Sequence, residues 1–201
     1  MKRVGVSERF LRMKTLYLNM NEKNLLKLMF ELGTLSRTPR TGPYHVGITN
    51  HETSAAHSFR TSVLAYFIAN EEGADVNKVL KMCLVHDFPE TRLLNQTFIQ
   101  GEFYSVEDKL NKVLSKQLRN LKGSDELQKI FEELRKGKSK EAQVVQDANI
   151  LEALVEAKEY IQQGIEIMKR WFLDKKKELR TATAKKIFDV LEKETIYWWE
   201  E

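Results

Sequence analysis

The sequence predicts an all-α protein, and three observations support this prediction. Apolar residues recur at the three- and four-residue spacing of amphipathic helices along nearly the whole chain, and no segment shows the alternation of a strand. Only three prolines and nine glycines interrupt the 201 residues, which favours long helices over many short strands. This length allows one well-buried core. We therefore expect a single domain over residues 1–201.

The expected helices follow the helical spacing of apolar residues, and several are bounded by residues that begin or end helices. The expected helices span residues 7–18, 21–36, 54–72, 76–87, 105–121, 124–135, 139–162, 164–175 and 178–199. Ser7 is the expected N-cap of the first helix, and leucines with a methionine form one face of the second. Gly73 ends the third helix and Asp75 caps the fourth.

The helix over 76–87 differs from the others because it is apolar on nearly every side, as a buried central helix is. Cys83 within it is expected to be a core residue rather than a ligand. Pro89 disfavours helical geometry at the residue before it. The helix is therefore expected to stop at the pair His86-Asp87.

Two segments between the helices lack a helical pattern. Residues 37–53 contain two prolines and two glycines and form a long loop, and a loop of that length is often functional. Residues 88–103 are expected to be irregular or loosely helical. The sequence contains no repeat, low-complexity tract or evident domain linker.

Composition excludes several classes of protein. The net charge is +4, but the basic residues are interleaved with acidic ones, so no nucleic-acid partner is expected. No segment approaches the roughly 20 apolar residues of a membrane span, and Met1–Val6 lacks the apolar stretch of a secretory signal. The single cysteine excludes an internal disulfide and fits a reducing compartment. A cytoplasmic protein is expected.

Four polar residues lie where the helical pattern predicts a core: His57, His86, Asp87 and Asp147. Buried charges are usually paired or bound to a metal, so these residues need partners. Together they form a plausible nitrogen and oxygen cage for a divalent metal. Taken singly, His57 is also compatible with a hydrogen-bonded core histidine, and Asp147 with a carboxylate held by an arginine or by backbone amides.

The ligand types narrow the choice of metal. Imidazole and carboxylate suit Mn²⁺, Co²⁺, Ni²⁺, Fe²⁺ or Zn²⁺, and Mg²⁺ is a further candidate. The absence of a thiolate among these ligands argues against a structural zinc site. A divalent metal with open positions lowers the pKa of bound water and polarises a phosphoryl oxygen, which is the chemistry of hydrolysis.

Four short segments in series resemble the HD-domain metal-dependent phosphohydrolase superfamily, in its small 5′-deoxynucleotidase and oxetanocin-like branch. The segments are Leu35–Gly42, Glu52–Ser58, Leu84–Glu90 and Asp147–Glu152. They cover roughly residues 25–160 in the family's order, and the tail over about 163–201 carries none of them. The resemblance implies an HD-domain helical bundle with a metal-site core over 25–160 and additional C-terminal helices.

The resemblance also implies a function. His57, His86, Asp87 and Asp147 would hold one divalent metal, and the protein would be a homodimer. The substrate would be a deoxyribonucleoside 5′-monophosphate, hydrolysed to deoxynucleoside and phosphate. Arg40 matches the loop arginine that contacts phosphate, and Glu90 matches the acidic residue that assists proton transfer.

The sequence departs from the family pattern at two positions. Asn95 stands where the family often has a second acidic residue, and we expect it, with Arg40, to contact the substrate. The aromatic residue that often follows the loop arginine is also missing. Hydrolysis of a nucleoside di- or triphosphate or a phosphodiester therefore remains an alternative, as does a weakly catalytic nucleotide-binding protein. Trp198 and Trp199 would pack on the domain or on a partner, and the sequence does not decide which.

Overall fold

The computed structural model describes residues 21–199, and regular structure within them is helical throughout. The α-helices are α1 (Glu22–Leu32), α2 (Ser54–Glu72), α3 (Val76–Val85), α4 (Glu90–Leu93), α5 (Phe98–Gly101), α6 (Glu107–Gln117), α7 (Ser124–Lys136), α8 (Lys140–Gln162), α9 (Met168–Lys175) and α10 (Ala182–Leu191). Short 3₁₀ turns cover Gly33–Ser36, Pro43–Val46 and Lys176–Glu178. The all-α prediction is confirmed, and the helix expected over 7–18 lies outside the described residues.

Helix α8 is the central element of the fold. It packs against α2, α3, α7, α9 and α10. Eleven of its 23 residues are buried, so it presents an apolar surface on several sides rather than on one face. Small buried residues such as Ala65 and Ala69 on α2 and Ala148 on α8 leave room for close helix packing.

Two clusters of buried apolar side chains hold the helices together. The larger one includes Met82 of α3 and Leu151 of α8, together with Phe172 and Phe188 from the C-terminal helices. The smaller one is formed by Leu28, Val85, Phe88, Leu114, Leu118 and Phe131. Residues of the expected additional C-terminal helices thus lie in the same core as the helices that carry the candidate site.

Local sequence signals account for the ends of α2 and α3. Gly73 ends α2 in the left-handed conformation, with φ of 61°, which glycine adopts without strain. The side chain of Asp75 accepts a hydrogen bond from the backbone N–H of Lys78 and caps α3. Pro89 has no N–H to donate to the carbonyl of Val85, so α3 ends there and the chain turns through His86 and Asp87.

Several predicted helix limits are too long. The last predicted helix, over 178–199, is observed only as α10, from Ala182 to Leu191. At its start, Thr181 is the N-cap, and beyond its end the backbone N–H of Ile196 donates to Gln162 instead of continuing the helix. The helices predicted over 105–121 and 164–175 are shortened to α6 and α9. Residues 88–103 contain two one-turn helices, α4 and α5.

Asp147, buried in α8, holds the segment that leads into α10. Its carboxylate accepts hydrogen bonds from the backbone N–H groups of Arg180 and Thr181 at 2.7–3.1 Å and from the Thr181 hydroxyl at 2.7 Å. A carboxylate at a helix N-terminus satisfies N–H groups that have no partner within the helix and interacts favourably with the helix dipole. Both oxygens of Asp147 are therefore used to anchor α10.

Within residues 21–199, no helix combines the length and the apolar content that crossing a membrane requires.

Replacing Asp147 with alanine is expected to lower the free energy of unfolding by about 3 kcal/mol, because three donors, two of them buried, lose a charged acceptor. Urea denaturation of the full chain measures this change. Asp174→Ala is the matched control, since Asp174 is exposed and pairs with the surface residue Lys177. The control is expected to change stability by less than about 0.5 kcal/mol. Equal stability of Asp147→Ala and wild type would contradict the anchoring role.

Candidate metal centre

Three side chains from two regions of the chain converge in the interior. His57 lies in the first half of α2, and His86 and Asp87 form the turn that follows α3. One ligand atom from each of the three lies within 4.8 Å of the others. His57 is fully buried and Asp87 is 8% exposed. Two imidazoles and one carboxylate at this spacing are a suitable ligand set for a divalent cation.

The orientation of His86 leaves one ring nitrogen available. Nδ1 donates a hydrogen bond to the backbone carbonyl of Cys83 at 2.6 Å, so in the neutral ring Nε2 presents its lone pair. Nε2 is buried, has no hydrogen-bond partner among residues 21–199, and lies 3.2 Å from Oδ2 of Asp87. A buried ring nitrogen left without a partner, facing a carboxylate, fits a metal ligand.

His57 is held by contacts at both ring nitrogens. Nδ1 contacts the carboxylate of Glu152 on α8, which is itself fully buried. Nε2 lies 2.7 Å from Oδ1 of Asn149, one turn earlier on the same helix. Burial lowers the pKa of His57, but the carboxylates of Glu152 and Glu52 raise it by more, to about 9. The pairing with Glu152 is the carboxylate–histidine arrangement that orients metal-binding imidazoles.

Asp87 is kept ionised by its surroundings. Its Oδ2 accepts a hydrogen bond from the hydroxyl of Ser58 at 2.9 Å. Burial acts to raise the pKa of this carboxyl, but the neighbouring His86, His57 and Arg40 hold that pKa well below its usual range. Asp87 is thus a carboxylate, the form that a cation requires.

The structure does not bring Asp147 into this group. Its carboxylate is engaged by Arg180 and Thr181, as described above, and Asn149 on the same helix contacts His57 instead. In this structure Asp147 is a carboxylate held by backbone amides, which is the alternative considered from the sequence. Asp147 and Asn149 are two residues apart, which corresponds to about 200° of rotation around a helix. Their side chains therefore point to different sides of α8.

Glu52, His57 and Glu152 form a second compact group behind the first. Arg60 accompanies it, with Nε 3.1 Å from Glu152 Oε1 and NH1 3.9 Å from Glu52 Oε2. The guanidinium supplies the positive charge that these buried carboxylates require. We interpret this group as the support of His57. Sequence reasoning missed Glu152, although it lies within the apolar stripe of α8 and was therefore detectable as a buried carboxylate.

A paired loop places Arg40 beside the centre. Pro39 and Thr53 form an antiparallel bridge, and the backbone N–H of Arg40 donates to the carbonyl of Glu52 at 3.0 Å. The two ends of the loop predicted over 37–53 are thereby joined at the start of α2. The Arg40 guanidinium lies 3.8 Å from Oε1 of Glu90.

Glu90 is hydrogen-bonded at both oxygens. It accepts from the Ser54 hydroxyl at 2.5 Å and from the side-chain amide of Asn95 at 2.7 Å. Burial and the nearby charge of Asp87 raise the pKa of Glu90. The other end of the Asn95 amide accepts from the backbone N–H and the hydroxyl of Thr41 at 3.0 and 2.7 Å. Asn95 therefore connects Glu90 to the loop that carries Arg40.

Two cavities meet at Arg40 and Asn95. One has a volume of about 460 Å³ and a largely apolar wall that includes Val46, Met168 and Trp171. Glu156 also lines it, and burial raises the pKa of that carboxyl. The other, of about 340 Å³, lies between the loop and the segment 93–104. The larger cavity therefore offers a small molecule both a charged group, Arg40, and an apolar surface that includes Trp171.

The fold and the centre define an all-helical protein with a buried histidine and aspartate group of the kind that binds a catalytic cation. A family model described as the HD domain matches residues 32–191. The chain therefore belongs to the HD-domain family.

Similar proteins and solved structures agree with this assignment. The chain is 27% identical over 141 residues to the 5′-deoxynucleotidase HDDC2 of Bos taurus, covering 69% of this chain and 68% of that protein. A conserved hypothetical protein of Pyrococcus furiosus superposes with a TM-score of 0.74 at 25% identity, covering 84% and 99% of the two chains. The HD phosphohydrolase DatZ of cyanophage S-2L, bound to dA and one catalytic Zn²⁺, shares the fold, with a TM-score of 0.51, 14% identity and coverage of 82% and 96%.

Glu152→Gln is expected to weaken binding of Mn²⁺ by roughly 10- to 100-fold, because an amide does not hold the His57 ring as a carboxylate does. Isothermal titration calorimetry with Mn²⁺ measures the change. Glu159→Gln is the control, since Glu159 pairs with Arg60 but lies at the surface side of that guanidinium. The two variants binding Mn²⁺ equally well would contradict the supporting role of Glu152.

Proposed function

We propose that this HD-domain protein is a metal-dependent 5′-nucleotidase that hydrolyses deoxyribonucleoside 5′-monophosphates to deoxynucleoside and phosphate. The observation that carries the proposal is the buried group of His57, His86 and Asp87 with Arg40 and Glu90 beside it. The similarity to a 5′-deoxynucleotidase over two thirds of both chains supports the choice of substrate.

The proposed cofactor is one divalent cation, held by His57, His86 and Asp87. The unpartnered Nε2 of His86 supports this assignment within the described residues. When bound, the cation would polarise the phosphoryl group and make water a better nucleophile. Nitrogen and oxygen ligands suit Mn²⁺, Co²⁺, Ni²⁺, Fe²⁺, Zn²⁺ or Mg²⁺, so the ligand types leave the metal open.

Arg40 and Glu90 have complementary roles in the proposed reaction. The planar guanidinium of Arg40 binds the phosphate through paired hydrogen bonds and replaces its contact with Glu90 by one with substrate. Because burial raises the pKa of Glu90, its carboxyl retains a proton to higher pH than usual and can donate it to the departing 5′-oxygen of the sugar. Asn95 acts by positioning Glu90 and the Arg40 loop.

The larger cavity is the proposed site of the nucleoside. Its volume of about 460 Å³ is within the usual range for small-molecule sites. Arg40 in its lining would hold the phosphate end, and Trp171 in the same lining would provide an apolar surface for the base. The missing loop aromatic is thus replaced, in this proposal, by an aromatic residue from α9.

A second candidate function is nucleotide binding with slow turnover, and Asn95 is the observation that favours it. Its amide cannot accept a proton from water as a carboxylate does. A third is hydrolysis of a different phosphate ester, such as a nucleoside triphosphate. The products separate these functions: a monophosphatase releases phosphate, a triphosphohydrolase releases tripolyphosphate, and a binding protein releases neither.

A homodimer is also proposed, formed through the exposed face of α2. Phe59, Val63, Tyr66 and Phe67 lie on one side of this helix and are 42–71% exposed. Together they expose roughly 400 Å² of apolar surface. This is about half of the ~800 Å² that each partner buries in a standard interface, and Leu80 and Leu84 on α3 are also exposed. A second copy of the chain is the proposed occupant.

The tail beyond α10 does not take part in these proposals. Trp198 and Trp199 are 85% and 59% exposed and contact each other edge to face. Of the two alternatives considered from the sequence, packing on the domain is not observed for these rings. The cytoplasmic location stays a prediction that rests on the sequence alone, from its single cysteine and the lack of a predicted membrane span or secretory signal.

Arg40→Ala is expected to lower kcat/KM for deoxyribonucleoside monophosphates by about 100-fold, because the phosphate loses a charged bidentate partner. Release of phosphate from a panel of the common deoxynucleotides, with Mn²⁺, Co²⁺ or Mg²⁺ added, measures the effect. Arg37→Ala is the control, since Arg37 is exposed in the same loop. No phosphate release by the wild type with any metal, or full activity of Arg40→Ala, would refute the proposal.

Phe59→Lys combined with Phe67→Lys is expected to convert a dimer into a monomer, because each charge would be placed in an apolar interface. Light scattering after size-exclusion chromatography gives the mass. Lys23→Glu on the exposed side of α1 is the control and should leave the mass unchanged. A wild-type protein that is monomeric at high concentration would refute the dimer and leave the proposed activity untouched.

A further inference from the structure

We propose that the side-chain oxygen of Asn149 is the fourth protein ligand of the metal. The four ligands would then carry a single negative charge, that of Asp87. This inference rests on the metal dependence proposed above. The sequence predicted Asp147, two residues earlier on the same helix, as the fourth ligand. The proposed centre replaces that carboxylate with a neutral amide.

The first argument is geometric. Oδ1 of Asn149 lies 2.7 Å from Nε2 of His57, the ring nitrogen on the far side from Glu152. Ligand atoms at about 2.1 Å from a metal are about 3 Å apart when they are neighbours in its coordination shell. The two atoms therefore lie at the separation of adjacent ligands with only a small adjustment.

The second argument is that the alternative carboxylate is already engaged. Asp147 accepts hydrogen bonds from three donors, the backbone N–H groups of Arg180 and Thr181 and the Thr181 hydroxyl, and all of these anchor α10. Moving it to the metal would require α8 to rotate by about half a turn or the start of α10 to lose its acceptor. Asn149 needs neither change, because it already faces His57.

The third argument is the charge of the ligand set. Two neutral imidazoles, one carboxylate and one amide give a net charge of −1, which leaves a divalent cation uncompensated. Affinity for a cation rises with the number of charged ligands. The centre is therefore expected to bind its metal more weakly than the same centre with a carboxylate at position 149.

Binding of Mn²⁺ to the full chain, measured by isothermal titration calorimetry, tests the inference without reference to turnover. Asn149→Asp is expected to bind Mn²⁺ about tenfold more tightly than wild type, and Asn149→Ala about tenfold more weakly. Asp147→Asn is the control at the neighbouring position. It is expected to retain the wild-type affinity while its unfolding midpoint falls.

Three results would overturn the inference: wild-type affinity in Asn149→Ala, a loss of affinity in Asp147→Asn equal to that in Asn149→Ala, or no binding of Mn²⁺ by the wild type. Thermal unfolding of each variant shows whether it is folded, and if Asn149→Asp is not, Asn149→Ala decides. Tight and Asn149-dependent metal binding without phosphate release would refute the proposed nucleotidase activity and leave this inference standing.

Discussion

The contact between the His57 ring and the Glu152 carboxylate is the interaction on which the arrangement of the centre depends. Both side chains are fully buried, and they join α2 to α8, the two longest helices of the described chain. A carboxylate in this position would cost several kcal/mol without a partner. Arg60 contacts its other oxygen, so the charge is balanced on both sides. The pairing holds the ring with Nε2 against Asn149, and the ring centroid lies 5.9 Å from that of His86.

The sequence was sufficient to predict the all-α class, the course of α2, α3 and α8, and the pair His86-Asp87 at the end of α3. These features depend on local patterns: apolar spacing, caps and a proline. It was insufficient to choose between Asp147 and its neighbours on α8. That choice depends on Thr181, 34 residues away, whose backbone N–H donates a hydrogen bond to the Asp147 carboxylate. A contact of this range leaves no trace in helical periodicity.

Asn95 shows why a departure from a family pattern need not weaken a site. An amide can donate to the Glu90 carboxylate and accept from Thr41 at the same time, and the structure uses both capacities. An ionised aspartate has no donor and would repel Glu90. The residue that appeared from the sequence to be a lost carboxylate is therefore a bridge between two elements, with a function that a carboxylate could not supply.

The bridge between Pro39 and Thr53 separates two tasks within one loop. Arg40 lies next to this junction, whereas the cavity wall formed by Pro43 and Val46 lies further along the loop. Because the loop ends are joined to each other, we expect insertions or substitutions in the intervening residues to leave the arginine in place. The phosphate contact proposed for Arg40 can thus stay constant while the neighbouring wall varies. In evolutionary terms, the loop is a module in which selectivity is free to diverge without loss of the chemistry.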